Sequence, residues 1–263
     1  MRMSRQPEGP PPPPVVQRLR VRYAKRGRLR FTSHRDFARA FERALRRSGV
    51  PIAFSAGFTP HPKVSYAGAA PTGVASDAEY LEIGLAAVRE PAEVRAALDG
   101  ALPPGLDIVE VVQAPADGGS LADRIEASAW RIVLPGVSAE AAGAALDRLL
   151  AADGAPVERL TKDGPRTVDA RAVLLSARLA NGSPDPEPAE VNARCATLEV
   201  VVRHSSPAVR PDDILTALRA IGALSTPVTP VVTRLAQGLV DPTSPEDARR
   251  LVDPLSEPGT VRA

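Results

Sequence analysis

The residues best placed to do chemistry lie in one short run, Gly57-Phe58-Thr59-Pro60-His61-Pro62-Lys63. Prolines on both sides of His61 restrict the backbone before and after it, so the imidazole is expected in a stiff, extended loop. Histidine is the side chain whose ordinary pKa lies nearest neutrality. His61, with Lys63 and with His34 and Asp36 upstream, is therefore a candidate acid–base or phosphate-binding group. The competing reading is a structural turn that packs Phe58 and lets His61 cap a neighbour. No Ser/His/Asp or Cys/His order suggests an activated nucleophile. Three histidines (His34, His61, His204) and one thiol, Cys195, give no zinc-like spacing, so no metal is expected. Cys195 reads as a small, half-buried hydrophobe. Gly118-Gly119 and Gly68 lack the context of a phosphate loop, which removes NTPase and dinucleotide readings.

The second chemical feature is charge. Between Arg18 and Lys63 there are 13 Lys or Arg against only Asp36 and Glu42, whereas residues 64–263 carry 18 basic and 28 acidic residues. Eight of the nine aromatics fall in the first 80 residues, so rings and cations coincide. Arginine matches phosphate with two parallel hydrogen bonds and stacks on bases, and aromatics stack bases too. Arg20, Arg22, Arg28, Arg30, Arg35, Arg39 and Arg43, with the helix start at Ser33, thus suggest a surface for a phosphate-rich ligand, RNA before any single small molecule. The plainer alternative is a solvated basic face over an aromatic core.

The elements that must position these groups can be read from periodicity. Leu19, Val21 and Tyr23 alternate with Arg18, Arg20 and Arg22, which predicts a strand with one buried and one basic face. Residues 28–32 alternate again, briefly. Ser33-His34-Arg35-Asp36 reads as a capping box that opens a helix, with Phe37, Phe41, Ala44 and Leu45 on one side, arginines on the other, and Gly49 at its end. Short extended runs at 52–55 and 64–67, a strand at 80–85, a helix at 91–101 and a strand at 106–112 complete a β-α-β-β-α-β order. That order predicts a ferredoxin-like split βαβ unit over 17–115. After a linker at 116–126 the pattern restarts over 127–240, with strands at 130–134, 157–162, 168–179, 198–203 and 228–239 and helices at 138–152 and 211–221. The expected fold class is α+β, two tandem ferredoxin-like units with antiparallel sheets. Asp169, Arg171 and Arg234 fall within strand-like runs, either facing solvent or lining a second polar sheet surface. Residues 1–16 read as a Pro-rich disordered leader, 181–192 as a loop and 241–263 as a flexible tail.

Composition fits this outline: 44% apolar and 24% charged residues suit a globular chain, and a single cysteine excludes an internal disulfide and a cysteine-held iron–sulfur cluster. No apolar run approaches the roughly 20 residues that span a bilayer. A cytoplasmic protein with no membrane association is expected.

Four blocks carry a resemblance: Arg28-Leu-Arg-Phe-Thr-Ser-His-Arg-Asp-Phe, Phe41-Glu-Arg-Ala-Leu-Arg-Arg-Ser-Gly-Val-Pro, Ser55-Ala-Gly-Phe-Thr-Pro-His-Pro-Lys-Val-Ser-Tyr-Ala and Gly73-Val-Ala-Ser-Asp-Ala-Glu-Tyr-Leu-Glu-Ile. In this order they resemble the radical-SAM-linked family, a bacterial domain of unknown function found beside or fused behind radical S-adenosylmethionine proteins. The likeness covers 17–115 and continues to about 240, through Val168-Asp169-Ala-Arg171 and the strand of Arg234. Phe37 stands where the family's motif carries an aliphatic residue, which implies repacking only. The resemblance implies a radical SAM partner holding the iron–sulfur cluster and S-adenosylmethionine, with no cofactor bound by this chain. It singles out Ser33, His34, Asp36, Gly57, Phe58, Pro60, His61, Pro62, Asp169 and Arg171 without assigning roles. The functional expectation is an accessory or substrate-binding protein that holds RNA. The alternatives are a metal-independent RNA-processing enzyme using His61 or His34, and a protein-interaction adaptor that binds no nucleic acid.

Overall fold

The computed structural model describes residues 12–115, 119–161, 164–180, 195–241 and 251–256. The expected leader, the loop at 181–192 and parts of the linker and tail lie mostly outside these residues. The chain divides into two compact units, Met1–Arg124 with Leu255–Ala263, and Ile125–Pro254.

The first unit runs β1 (Gln17–Lys25), α1 (His34–Ser48), β2 (Val64–Ala67), β3 (Ala75–Leu85), α2 (Pro91–Asp99) and β4 (Leu106–Gln113). β1 pairs antiparallel with both β3 and β4, and β2 pairs antiparallel with β3, so the order across the sheet is β4-β1-β3-β2. Leu19, Val21 and Tyr23 from β1 and Leu81, Ile83 and Leu85 from β3 meet Phe37, Phe41 and Leu45 from α1 in one core. Inside it the Tyr23 and Phe37 rings stack at 4.2 Å. Both expected ends of α1 are present: the Ser33 hydroxyl accepts the Asp36 N–H, and Gly49 takes a left-handed conformation, φ 68°, which a residue with a Cβ adopts only with strain. Asp36, however, does not reach back to the backbone. Its carboxylate accepts from the Ser33 hydroxyl at 2.7 Å.

Two local expectations change. Residues 28–32 are not a strand: Gly27–Phe31 forms a 3-10 turn, fixed where Arg26 N–H donates to the Gly105 carbonyl and Gly73 N–H to the Arg30 carbonyl. Residues 52–55 make only isolated bridges, Ile52 to Leu85 and Phe54 to Pro62, and form no strand of their own.

The second unit runs β5 (Ala127–Pro135), α3 (Ala139–Ala151), β6 (Pro156–Thr161), β7 (Gly164–Asp169), β8 (Leu174–Leu179), β9 (Cys195–Arg203), α4 (Pro211–Ala220), β10 (Val231–Val240) and β11 (Leu251–Val252). Its sheet is antiparallel in the order β10-β5-β9-β8, with β11 beside β10 and β6–β7 a separate hairpin. The single strand expected at 168–179 is two strands, because the chain turns between Asp169 and Leu174. Of the 241–263 segment, β11 and buried Leu255 and Ser256 are described.

Candidate nucleic-acid interface

The sequence-predicted arginines separate into two sets on opposite sides of the first unit. In β1, Arg20 and Arg22 alternate with core residues and so occupy the sheet face away from the helices. That face is not the open basic surface expected. Arg20 is only 1% exposed, donates to Glu82 at 3.3 Å and to the Gly119 carbonyl at 2.8 Å, while Arg22 donates to the Asp77 carbonyl. β1 lies between β3 and β4, and Glu82 on β3 supplies the countercharge; an arginine so enclosed holds structure rather than ligand.

The other set is open. Arg35, Arg39, Arg43 and Arg47 recur every four residues along α1, with Arg46 beside them, all exposed on the side away from Phe37 and Phe41. Their acids are few: Arg39 lies 3.9 Å from Asp36 and Arg46 3.7 Å from Glu42, long exposed pairs worth little in water. Arg28 and Arg30 sit on the turn just before α1, where the Arg30 guanidinium lies over the Phe31 ring at 4.9 Å and Phe31 itself is 60% exposed. The neighbouring Arg26 is neutralised by Asp77 and Asp107. The first turn of α1 is a poorer anion site than its N-terminus suggests, because the Asp36 carboxylate already stands there.

His34 and His61 are not brought together. His34 opens α1 and presents its ring edge-on to Tyr66 at 4.8 Å, a packing contact. Burial, and then the charge of Glu42, push the Tyr66 phenol up to about 12. His61 belongs to a loop at the far end of β2. Ser55 closes that loop twice, its N–H donating to the His61 carbonyl at 2.8 Å and its hydroxyl accepting the His61 N–H at 3.0 Å. Below this neck Phe54 bridges Pro62, and Lys63 N–H donates to the Ala53 carbonyl. Gly57, with φ 128°, supplies the tight bend at the tip. The expectation of a stiff, presenting loop thus has a physical basis, but Phe58 is not packed: it is 71% exposed, and Thr59, Pro60, His61 and Lys63 are exposed with it. Since Ile52 bridges Leu85, which pairs with Gln17, this loop and the Arg46–Arg47 end of α1 share one end of the unit. Phe31 marks the other.

In the second unit the charged residues carry structure. One Asp169 oxygen accepts N–H groups from Ala155, Arg171 and Ala172 at 2.9–3.1 Å, and these bonds, led by Ala155, hold its carboxyl below the usual range. Arg171 donates to the Leu150 carbonyl at the end of α3. Arg234 is 3% exposed and lies over the Trp130 ring at 5.3 Å, on the sheet face of Ile132. None of the three lines an open polar surface. Sequence reasoning also passed over a pair here: the Ser128 hydroxyl and His204 Nε2 are 2.7 Å apart, and partial burial, then the Arg234 charge, lower the His204 pKa. Nothing in the spacing of residues 128 and 204 signals it, since β5 and β9 bring them together.

Among the described residues no group of three or more His, Cys, Asp or Glu could hold a metal, and no helix is long and apolar enough to cross a membrane. The model of an uncharacterized protein family conserved in bacteria, DUF2344, matches residues 18–211. The chain belongs to this family. No curated protein matches it. The matched span takes in α1, the His61 loop and the Asp169 turn, so both the open basic helix and the structural turn lie within the family's domain.

Proposed function

We propose that this chain is an accessory, substrate-binding protein whose first unit holds RNA along the outer face of α1. The observation that carries the reading is the row Arg35, Arg39, Arg43 and Arg47, exposed and poorly countered by acid. Residues four apart on a helix are about 6 Å apart along its axis, comparable to one nucleotide of an extended strand, so successive guanidinium groups can follow successive phosphates. Arg28, Arg30 and exposed Phe31 extend the row past the helix start. The strand orders β4-β1-β3-β2 and β10-β5-β9-β8 support reading both units as ferredoxin-like, the second with an inserted hairpin. The resemblance supports a radical SAM partner that supplies the cluster, S-adenosylmethionine and the reaction, and a cytoplasmic setting for both. An RNA-processing enzyme is the weaker reading. Among the described residues no acid or base side chain is hydrogen-bonded to the ring of His61 or His34 to poise it for proton transfer.

Fluorescence anisotropy with labelled RNA tests the binding. Arg39→Glu and Arg43→Glu should each weaken affinity on the order of tenfold, alike for every sequence, and the log–log salt slope should flatten by about one per lost phosphate contact. Unchanged affinity in both variants would end the proposal. A nuclease-treated pull-down tests the partner: a radical SAM protein should still come down when RNA is removed.

A further inference from the structure

The groove beside the arginine row says which form of RNA fits. On one side stand Ala40, Arg43 and Arg47 of α1, and on the other Gly100, Leu102 and Pro103, just after α2. Leu102, only 9% exposed, makes an apolar floor, and Gly100 contributes no side chain to fill the space. The Arg47 guanidinium donates to the Ala101 carbonyl, which fixes that planar cation across the groove, while Arg43 is exposed and meets no acid among the described residues. An open slot with an apolar floor, one anchored guanidinium and one open cation at its rim matches a nucleobase attached to its phosphate. Two further features agree. Phe31 and Phe58, 60% and 71% exposed, stand toward opposite ends of the same unit, each held by backbone hydrogen bonds near it.

A duplex keeps its bases stacked inside and offers a protein phosphates and groove edges, so it would engage the arginines and leave the slot and both rings unused. A single strand can splay its bases onto rings and into a slot. We infer that the first unit takes single-stranded RNA, with one unstacked base seated in the groove between α1 and residues 100–103. This rests on the RNA reading above.

The test measures anisotropy of the full chain with a short labelled RNA strand, its duplex, and the same strand carrying an abasic position. Expected are single-strand binding on the order of tenfold tighter than duplex, and weaker binding of the abasic strand. Ala40→Leu, which fills the slot with a good helix former, should remove the single-strand advantage while duplex affinity stays. Phe58→Ala, at an exposed tip that cannot unfold the core, should reduce it also. Equal affinity for strand and duplex, unmoved by these variants, overturns the base slot and leaves RNA binding intact. Failure of both forms to bind overturns the RNA reading itself. Polyglutamate displacing the strand while the abasic strand binds undiminished would assign the groove to an acidic polypeptide and overturn the proposal.

Discussion

Three backbone N–H groups converge on one oxygen of Asp169, so its carboxylate ties the entry to β6, at Ala155, to the turn before β8. Asp169→Ala strands all three donors and should cost about 1 to 2 kcal/mol, the scale of a lost helix cap, read as a lower urea midpoint. Because its pKa is depressed in the folded state, this contribution is present above about pH 4 and is lost as the pH falls below that value. His204 acts in a separate window. Its folded pKa is also lowered, first by burial and then by Arg234, so the unfolded chain binds the proton more readily. Stability should therefore fall as the pH drops below about 6.5 toward the folded value. His204→Gln, which keeps an acceptor for the Ser128 hydroxyl, should flatten that part of the melting-temperature profile; an unchanged profile would deny His204 the role. Neither role was legible in the sequence. Asp169 looked like a strand charge because its three donors are set by chain reversal, and the partner of His204 is 76 residues away.

At the scale of elements, α1 was legible at both ends and on both faces, since Ser33, Gly49 and the spacing of Phe37, Phe41 and Leu45 are local signals. Ser33→Ala should cost about 1 kcal/mol of the first unit's stability by denaturant unfolding, with the arginine row and its RNA affinity displaced little. β1 was legible as a strand, but its second face was not. Whether an alternating arginine meets water or an acid depends on what the neighbouring strand supplies, and Glu82 lies 62 residues from Arg20. The turn Gly27–Phe31 was hidden behind a brief alternation for the same reason, its shape being set by bonds to Gly105 and Gly73. The groove at residues 100–103 was invisible for want of any signal relating α1 to the end of α2.

At the scale of the whole chain, folding dilutes the charge imbalance: the first unit carries 19 Lys or Arg against 14 Asp or Glu, and the second 14 against 17. The chain also returns. After the second unit, Leu255 and Ser256 rejoin the first, and the buried guanidinium of Arg124 donates to the Ser256 carbonyl at 2.7 Å. Deleting 255–263 removes that acceptor and should lower the melting temperature of the first unit by several degrees, seen by calorimetry.

The Arg124–Ser256 bond has a practical corollary. Where the polypeptide departs from the basic half and where it comes home are neighbouring spots, so residues 125–254 form a cassette spliced into a host. A linker of a few glycines is long enough to join Arg124 directly to Leu255 across that gap.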